Sequence, residues 1–278
     1  MKQSLNDTLV LCDLDTLMLG PDGNLTQVVR DVLNLFLSRG GRMTVFSQRT
    51  PQAVRTMLGS VRLSAPALVC GGSLVYSFSA GCGKALAGFD VLGEDFLHKL
   101  PAAPGVGIAL QMRDGSTRVL RMSQALERHL RREWTPYLLG QPEGINSADV
   151  LRVLLYKDAK NVPVLQVFEK ALAESAAPLL TEYLTADCLA LMPKNVSAEK
   201  ALEEVCAAAE VTPEQVAVVA GSQAMLGLMH LAGESAAACD APAEVRVAAK
   251  RVMLCACSEG AAAEYLYRFV REAENGSM

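Results

Sequence analysis

Aromatic residues are scarce in this chain: they make up 5% of it, with a single tryptophan. The core must therefore be built from Leu, Val, Ala and Met, which a 51% hydrophobic content supplies. Only three histidines occur, His98, His129 and His230, and none has a Cys or His neighbour at metal-ligand spacing. The eight cysteines include no CxxC pair, and Cys255 and Cys257 form only a CxC. That excludes the usual zinc modules and suits reduced, buried thiols. Positive charge is not in excess: the net charge is −4, so no general attraction to nucleic acid or to an anionic membrane is expected. No apolar run is long enough to span a bilayer. The opening "MKQSLNDTLVLCDLD" lacks the form of a signal peptide. The expectation is a cytoplasmic protein.

What is present is alternation. "TLVLCDL" reads as a strand buried on both faces, "TQVVRDVLNLFLSRG" as a helix closed by glycines, "RMTVFS" as a strand, "TPQAVRTMLGSV" as a helix and "PALVCGG" as a third strand. This β-α-β-α-β order implies a parallel sheet with helices on its faces. The style returns late in the chain, with the helix "SAEKALEEVCAAAEV" and the strand "VAVVAG". The middle differs. "GVGIALQM" and "STRVLRM" flank the hairpin signal "RDG", and further helix and strand patterns follow. The chain thus reads as an α/β, Rossmann-like core from residues 1–80 and 190–278, with an α/β unit at 81–189 inserted between the halves.

Two carboxylates, Asp13 and Asp15, close the first strand. Burying them unpaired is costly, so they are either wet at a turn or hold something. Other constellations fail. "GCGKAL" has Ala85 where a Walker A loop needs Ser or Thr, and Phe78 where it needs glycine. "GVG" at 105–107 lacks a third glycine. "ERHLRREW", with Trp134, reads as a solvated helix face with one anchoring aromatic.

Four stretches in order carry a resemblance: "DLDTLML", "TVFSQRT", "CGGSLVY", and the long segment from "PKNVSAEKAL" through "VVAGSQAMLGLMHLAGESAAACDA". Together they resemble the Cof-type, class IIB capped phosphatases of the haloacid dehalogenase superfamily, over nearly the whole chain. The resemblance implies a phosphoric monoester hydrolase. Asp13 then matches the nucleophile, Asp15 the general acid/base, and Thr16, Ser47 and Arg49 the phosphate-binding residues. It also implies Mg²⁺ held by Asp13 and Asp15 with further acids.

The cation side departs from the family. Its lysine aligns with Ala198. Lys200 lies about 200° further around a helix, and Lys194 precedes the helix without a pattern match. Its GDxxND acids align with Ser222 and Leu226, and its asparagine with Met225; Gly221 is kept, and Asp240 stands as a tenuous replacement ligand. Mg²⁺ binding is therefore expected to be weak or absent. The residues point to a weak or inactive pseudo-phosphatase that binds a small phosphorylated metabolite. An active Mg²⁺-dependent sugar phosphatase working through Asp13, or an interaction protein without a ligand, are the alternatives. The ligand and the oligomeric state are not legible in the sequence.

Overall fold

The computed structural model describes residues 5–89, 94–100, 105–158, 163–175 and 177–276. It divides into two compact units, Met1–Arg49 with Val54–Gly81 and Ser197–Met278, and Thr50–Ala53 with Cys82–Val196. The boundary read from the sequence at 189/190 falls inside a strand of the second unit, which runs on to Pro193.

The chain begins with β1 (Leu9–Asp13), α1 (Leu14–Leu17), α2 (Gln27–Ser38), β2 (Arg42–Phe46), α3 (Pro51–Leu58), β3 (Ala67–Val69), β4 (Leu74–Ser77) and β5 (Cys82–Ala85). All of β1 is buried, as its unbroken apolar run requires of a central strand. The α2 helix starts at Thr26, whose hydroxyl accepts from the Val29 N–H at 3.3 Å. Its buried stripe is Val29, Leu33 and Phe36. The inserted unit then supplies β6 (Val106–Met112), β7 (Thr117–Arg121), α4 (Gln124–Arg132), β8 (Leu138–Leu139), β9 (Val150–Lys157), α5 (Val164–Glu174), β10 (Leu179–Thr185) and β11 (Cys188–Pro193). The chain closes with α6 (Ala198–Ala209), β12 (Val216–Ala220), α7 (Leu226–Leu231), β13 (Glu234–Ala237), α8 (Ala243–Ala248), β14 (Arg251–Val252) and α9 (Ala261–Gly276).

The first sheet runs β14-β13-β12-β1-β2-β3-β4-β5. From β14 to β3 every pairing is parallel, and β4 returns antiparallel to β3. Successive strands step outward from β1 in one direction through β2 and β3, and in the other through β12, β13 and β14. Strand order therefore reverses at β1, and the crevice at its carboxyl end is where such a sheet places a ligand site. The second sheet runs β10-β11-β9-β6-β7-β8. Its β6–β7 hairpin turns at Asp114 and Gly115, where Gly115 takes a φ of 80° that a side chain would resist. Alternation along β6 sends Ile108 and Leu110 into one apolar cluster and Ala109 into the other. Leu165 of α5 packs in the first cluster, and Leu126 and Leu130 of α4 in the second. This is the α/β architecture with a Rossmann-like parallel sheet that the sequence implied.

Candidate active site

Three adjacent strand ends converge. β1 ends at Asp13, β2 is followed by Ser47, and β12 is followed by Gly221 and Ser222. Asp13 is 1% exposed and caps α1, accepting from the Thr16 N–H at 3.4 Å through Oδ1. Its other oxygen, Oδ2, accepts from the Ser222 hydroxyl at 2.7 Å. Ser222 stands at the N-cap position of the 3₁₀ turn Gln223–Met225, yet its side chain makes no cap bond; it turns to Asp13 instead. Burial raises the Asp13 pKa, and the charge of Asp15 raises it further. The donors at Ser222 and Thr16 pull it partly back.

Asp15 is held from the β2 side. Oδ1 accepts from the Ser47 hydroxyl at 2.8 Å and pairs with the Arg49 guanidinium. Oδ2 accepts from the Gln48 N–H at 2.6 Å. Ser47 in turn accepts from the Arg49 N–H at 3.1 Å. The loop that carries these donors is itself fixed by the turn after β3. The Cys70 N–H donates to the Arg49 carbonyl at 2.8 Å, and the Gly71 N–H to the Ser47 carbonyl at 3.0 Å. Cys70, Gly71 and Gly72 all carry positive φ there, which explains the glycine pair in "CGGSLVY".

The structure thus brings Asp13, Asp15, Thr16, Ser47 and Arg49 into one neighbourhood. It also shows that Ser47 and Arg49, expected to hold phosphate, bond to Asp15. The Thr16 hydroxyl is buried beside Asp13, where it helps to lower the carboxyl's pKa without meeting full hydrogen-bond geometry. A Cβ built on Gly221 would lie 2.3 Å from the Thr16 Oγ1 and 2.8 Å from the Leu17 Cδ2. Glycine is required here by the close approach of α1.

The positions aligned with the family's metal acids and lysine, Ser222, Leu226 and Ala198, carry no charge. Met225 is fully buried and Leu226 opens α7. Ala198 is the first residue of α6, and its Cβ would lie 2.7 Å from a Cβ placed on Gly227. Lys200 is exposed, its N–H bonded to the Ser197 cap at 3.2 Å. Lys194 belongs to the second unit and is exposed. Asp240 does not turn to Asp13. Its Oδ1 accepts from the Cys257 N–H at 2.7 Å, which holds its carboxyl below the usual range. Burial and the neighbouring Asp240 push the Cys257 thiol up to about 12. The sequence marks Cys257 only as half of a CxC pair; folding brings its 3₁₀ turn, Cys257–Glu259, against α1.

The donor set does not fit Mg²⁺. The ion favours several hard oxygens in near-octahedral geometry, with carboxylates among them. Here a serine hydroxyl, at a position where the resemblance implies an acid, donates a hydrogen bond to Asp13 Oδ2 and adds no carboxylate oxygen. Asp15 is paired with arginine. Among the described residues no group of three or more His, Cys, Asp or Glu is placed to hold a metal.

Comparison with known proteins locates the architecture. No sequence-family profile and no curated protein matches the chain. Solved structures do. A haloacid dehalogenase-like hydrolase from Bacteroides thetaiotaomicron superposes with a TM-score of 0.81 at 15% identity, over 94% of this chain and 99% of that one. A protein from Thermotoga maritima gives 0.79 at 17% identity, over 94% and 97%. A haloacid dehalogenase subclass IIB sugar phosphatase gives 0.74 at 12% identity, over 95% and 99%. The chain has the haloacid dehalogenase-like fold. Identity this low conveys the fold alone and leaves the chemistry to the residues. In this haloacid dehalogenase-like fold, the paired carboxylates lie at the switch point of the sheet, and protein donors surround them.

Proposed function

We propose that the protein is a phosphatase-like chain whose hydrolytic activity is weak or absent, and whose crevice serves at most to bind a small phosphorylated metabolite. One observation carries this reading: all four carboxylate oxygens of Asp13 and Asp15 accept hydrogen bonds from the protein. A nucleophilic carboxylate must be ionised and must meet phosphorus with its lone pair free. Burial here favours the neutral acid, and the hydrogen bonds from Ser222 and Thr16 draw electron density from both of its oxygens. A general acid/base must exchange its proton with the leaving group. Asp15 is instead clamped between a guanidinium, a hydroxyl and an amide. With Ala198 at the position the resemblance gives to a lysine, the start of α6 supplies no cation to offset the repulsion of a phosphate dianion approaching Asp13. Loss of one preorganised charge partner commonly costs about 10²- to 10³-fold in rate, and three family positions have changed together.

The test is release of phosphate from a panel of sugar phosphates and an aryl phosphate with Mg²⁺ present. The parent is expected at background. Ser222→Asp, Leu226→Asp and Ala198→Lys together are expected to raise turnover, and each alone to do little, because such groups act as a unit. Robust parent turnover that vanishes in Asp13→Asn would overturn the reading.

A further inference from the structure

Between Asp31 and Asp90 the sequence holds no acidic residue and six cations, Arg39, Arg42, Arg49, Arg55, Arg62 and Lys84, in a chain whose net charge is −4. Folding accounts for three of them. Arg39 pairs with Glu274, the Arg42 guanidinium donates to the Ala209 carbonyl, and Arg49 pairs with Asp15. Arg55 and Arg62 pair with no carboxylate among the described residues, and both line one cavity of about 560 Å³. Such a volume lies within the ordinary range for small-molecule sites.

The cavity is built by the end of α3 and the end of β4. Helix α3 stops because Gly59 takes a φ of 58°, and its N–H closes on the Arg55 carbonyl at 3.1 Å. The following loop is tied to the start of β2, where the Ser64 N–H donates to the Met43 carbonyl at 2.8 Å. Opposite this loop stands Phe78, just past β4, with the Arg55 guanidinium carbon 5.7 Å from its ring centre. Tyr76 buttresses Phe78 edge-on at 5.1 Å. The stacked arginine is thereby oriented before any ligand arrives, with its N–H edges free of a carboxylate partner. Ser60 and Ser79 add polar groups to the wall, and Leu58, Val61 and Leu63 add an apolar floor.

We propose that this cavity is a second binding site, for a small organic anion that carries a flat aromatic body, of the nucleoside monophosphate kind. Two guanidiniums suit a phosphate, which accepts paired N–H bonds, and an aromatic wall over an apolar floor suits a ring. The site is separate from the carboxylate crevice. β4 runs antiparallel to β3, so Phe78 lies at the amino edge of the parallel strands, whereas Asp13 lies at their carboxyl edge. Along β2 alone, from Met43 to Ser47, that separation is roughly 13 Å.

The experiment is calorimetric titration of the full chain with AMP and, separately, with inorganic phosphate. AMP is expected to bind, and more tightly than inorganic phosphate. The double variant Arg55→Gln, Arg62→Gln is expected to weaken AMP by about tenfold or more, as loss of charge-assisted bonds requires. Phe78→Ala should bring AMP down towards inorganic phosphate. All these positions are on the surface of the unit, so the variants are read beside their circular dichroism melts. AMP binding that survives the double variant at parental strength would place the anion elsewhere and overturn the proposal. So would no AMP binding at millimolar concentration by a folded parent.

Discussion

The chemistry of this site turns on the protonation of one residue. Asp13 is buried, and its pKa is raised first by burial and then by the charge of Asp15. The fold therefore prefers the neutral acid. Its stabilising contribution is complete below the unfolded carboxylate value of about 3.9 and is lost as pH climbs through the raised folded value. Asparagine keeps the shape without the charge. Asp13→Asn is expected to gain stability relative to the parent as pH rises from about 4, and the gain to level off once Asp13 is ionised in the folded parent. Urea midpoints of both proteins over a pH series measure this, and a difference independent of pH would sink it. Ser222 is the opposing control, because its hydroxyl stabilises the ionised form at 2.7 Å. Ser222→Ala should cost about 1–3 kcal/mol at neutral pH and less in acid, where the neutral carboxyl depends less on that donor.

Elements carry the site by approaching one another closely. α1 packs onto the end of β12 so tightly that a Cβ on Gly221 would lie 2.3 Å from the Thr16 hydroxyl. Gly221→Ala is expected to destabilise the protein by about 1–3 kcal/mol, the usual cost of overpacking. Thr16→Ala in the same chain should recover part of that loss in a thermal melt; simple addition of the two losses would show that α1 shifts aside freely. The sequence made most of these elements legible, because β1, α2, β2 and α6 advertise themselves by apolar period and caps. It did not show β13, whose residues Glu234–Ala237 read as an Ala-rich stretch. Alanine has little strand preference of its own, and pairing with β12 decides the matter. Nor did it show β10, where exposed and half-buried residues blur the alternation. At the site, the family resemblance located Asp13, Asp15, Ser47 and Arg49 but not their directions. That Arg49 and Ser47 face Asp15, and that Ser222 is a donor as well as a lost acid, depends on loop geometry fixed by the Cys70–Gly72 turn, which no periodicity encodes.

At the scale of the whole molecule, a haloacid dehalogenase-like fold persists at 12–17% identity to its solved neighbours. Each of the two units has its own buried apolar residues, and all four oxygens of Asp13 and Asp15 accept internal hydrogen bonds. Among the described residues no helix is long and apolar enough to cross a membrane. Packing constraints such as Gly221 hold the architecture, and nothing in that packing requires Ser222, Leu226 or Ala198 to be charged. Because protein donors and a guanidinium already draw on the carboxylate oxygens, a divalent cation must compete with them to bind. The most direct measurement is calorimetric titration of the protein with Mg²⁺ at neutral pH, beside the double variant Ser222→Asp, Leu226→Asp. The account predicts no saturable heat below the millimolar range for the parent, and a clear gain in affinity when both acids are restored. Low-micromolar binding by the parent, lost in Asp13→Asn, would contradict it.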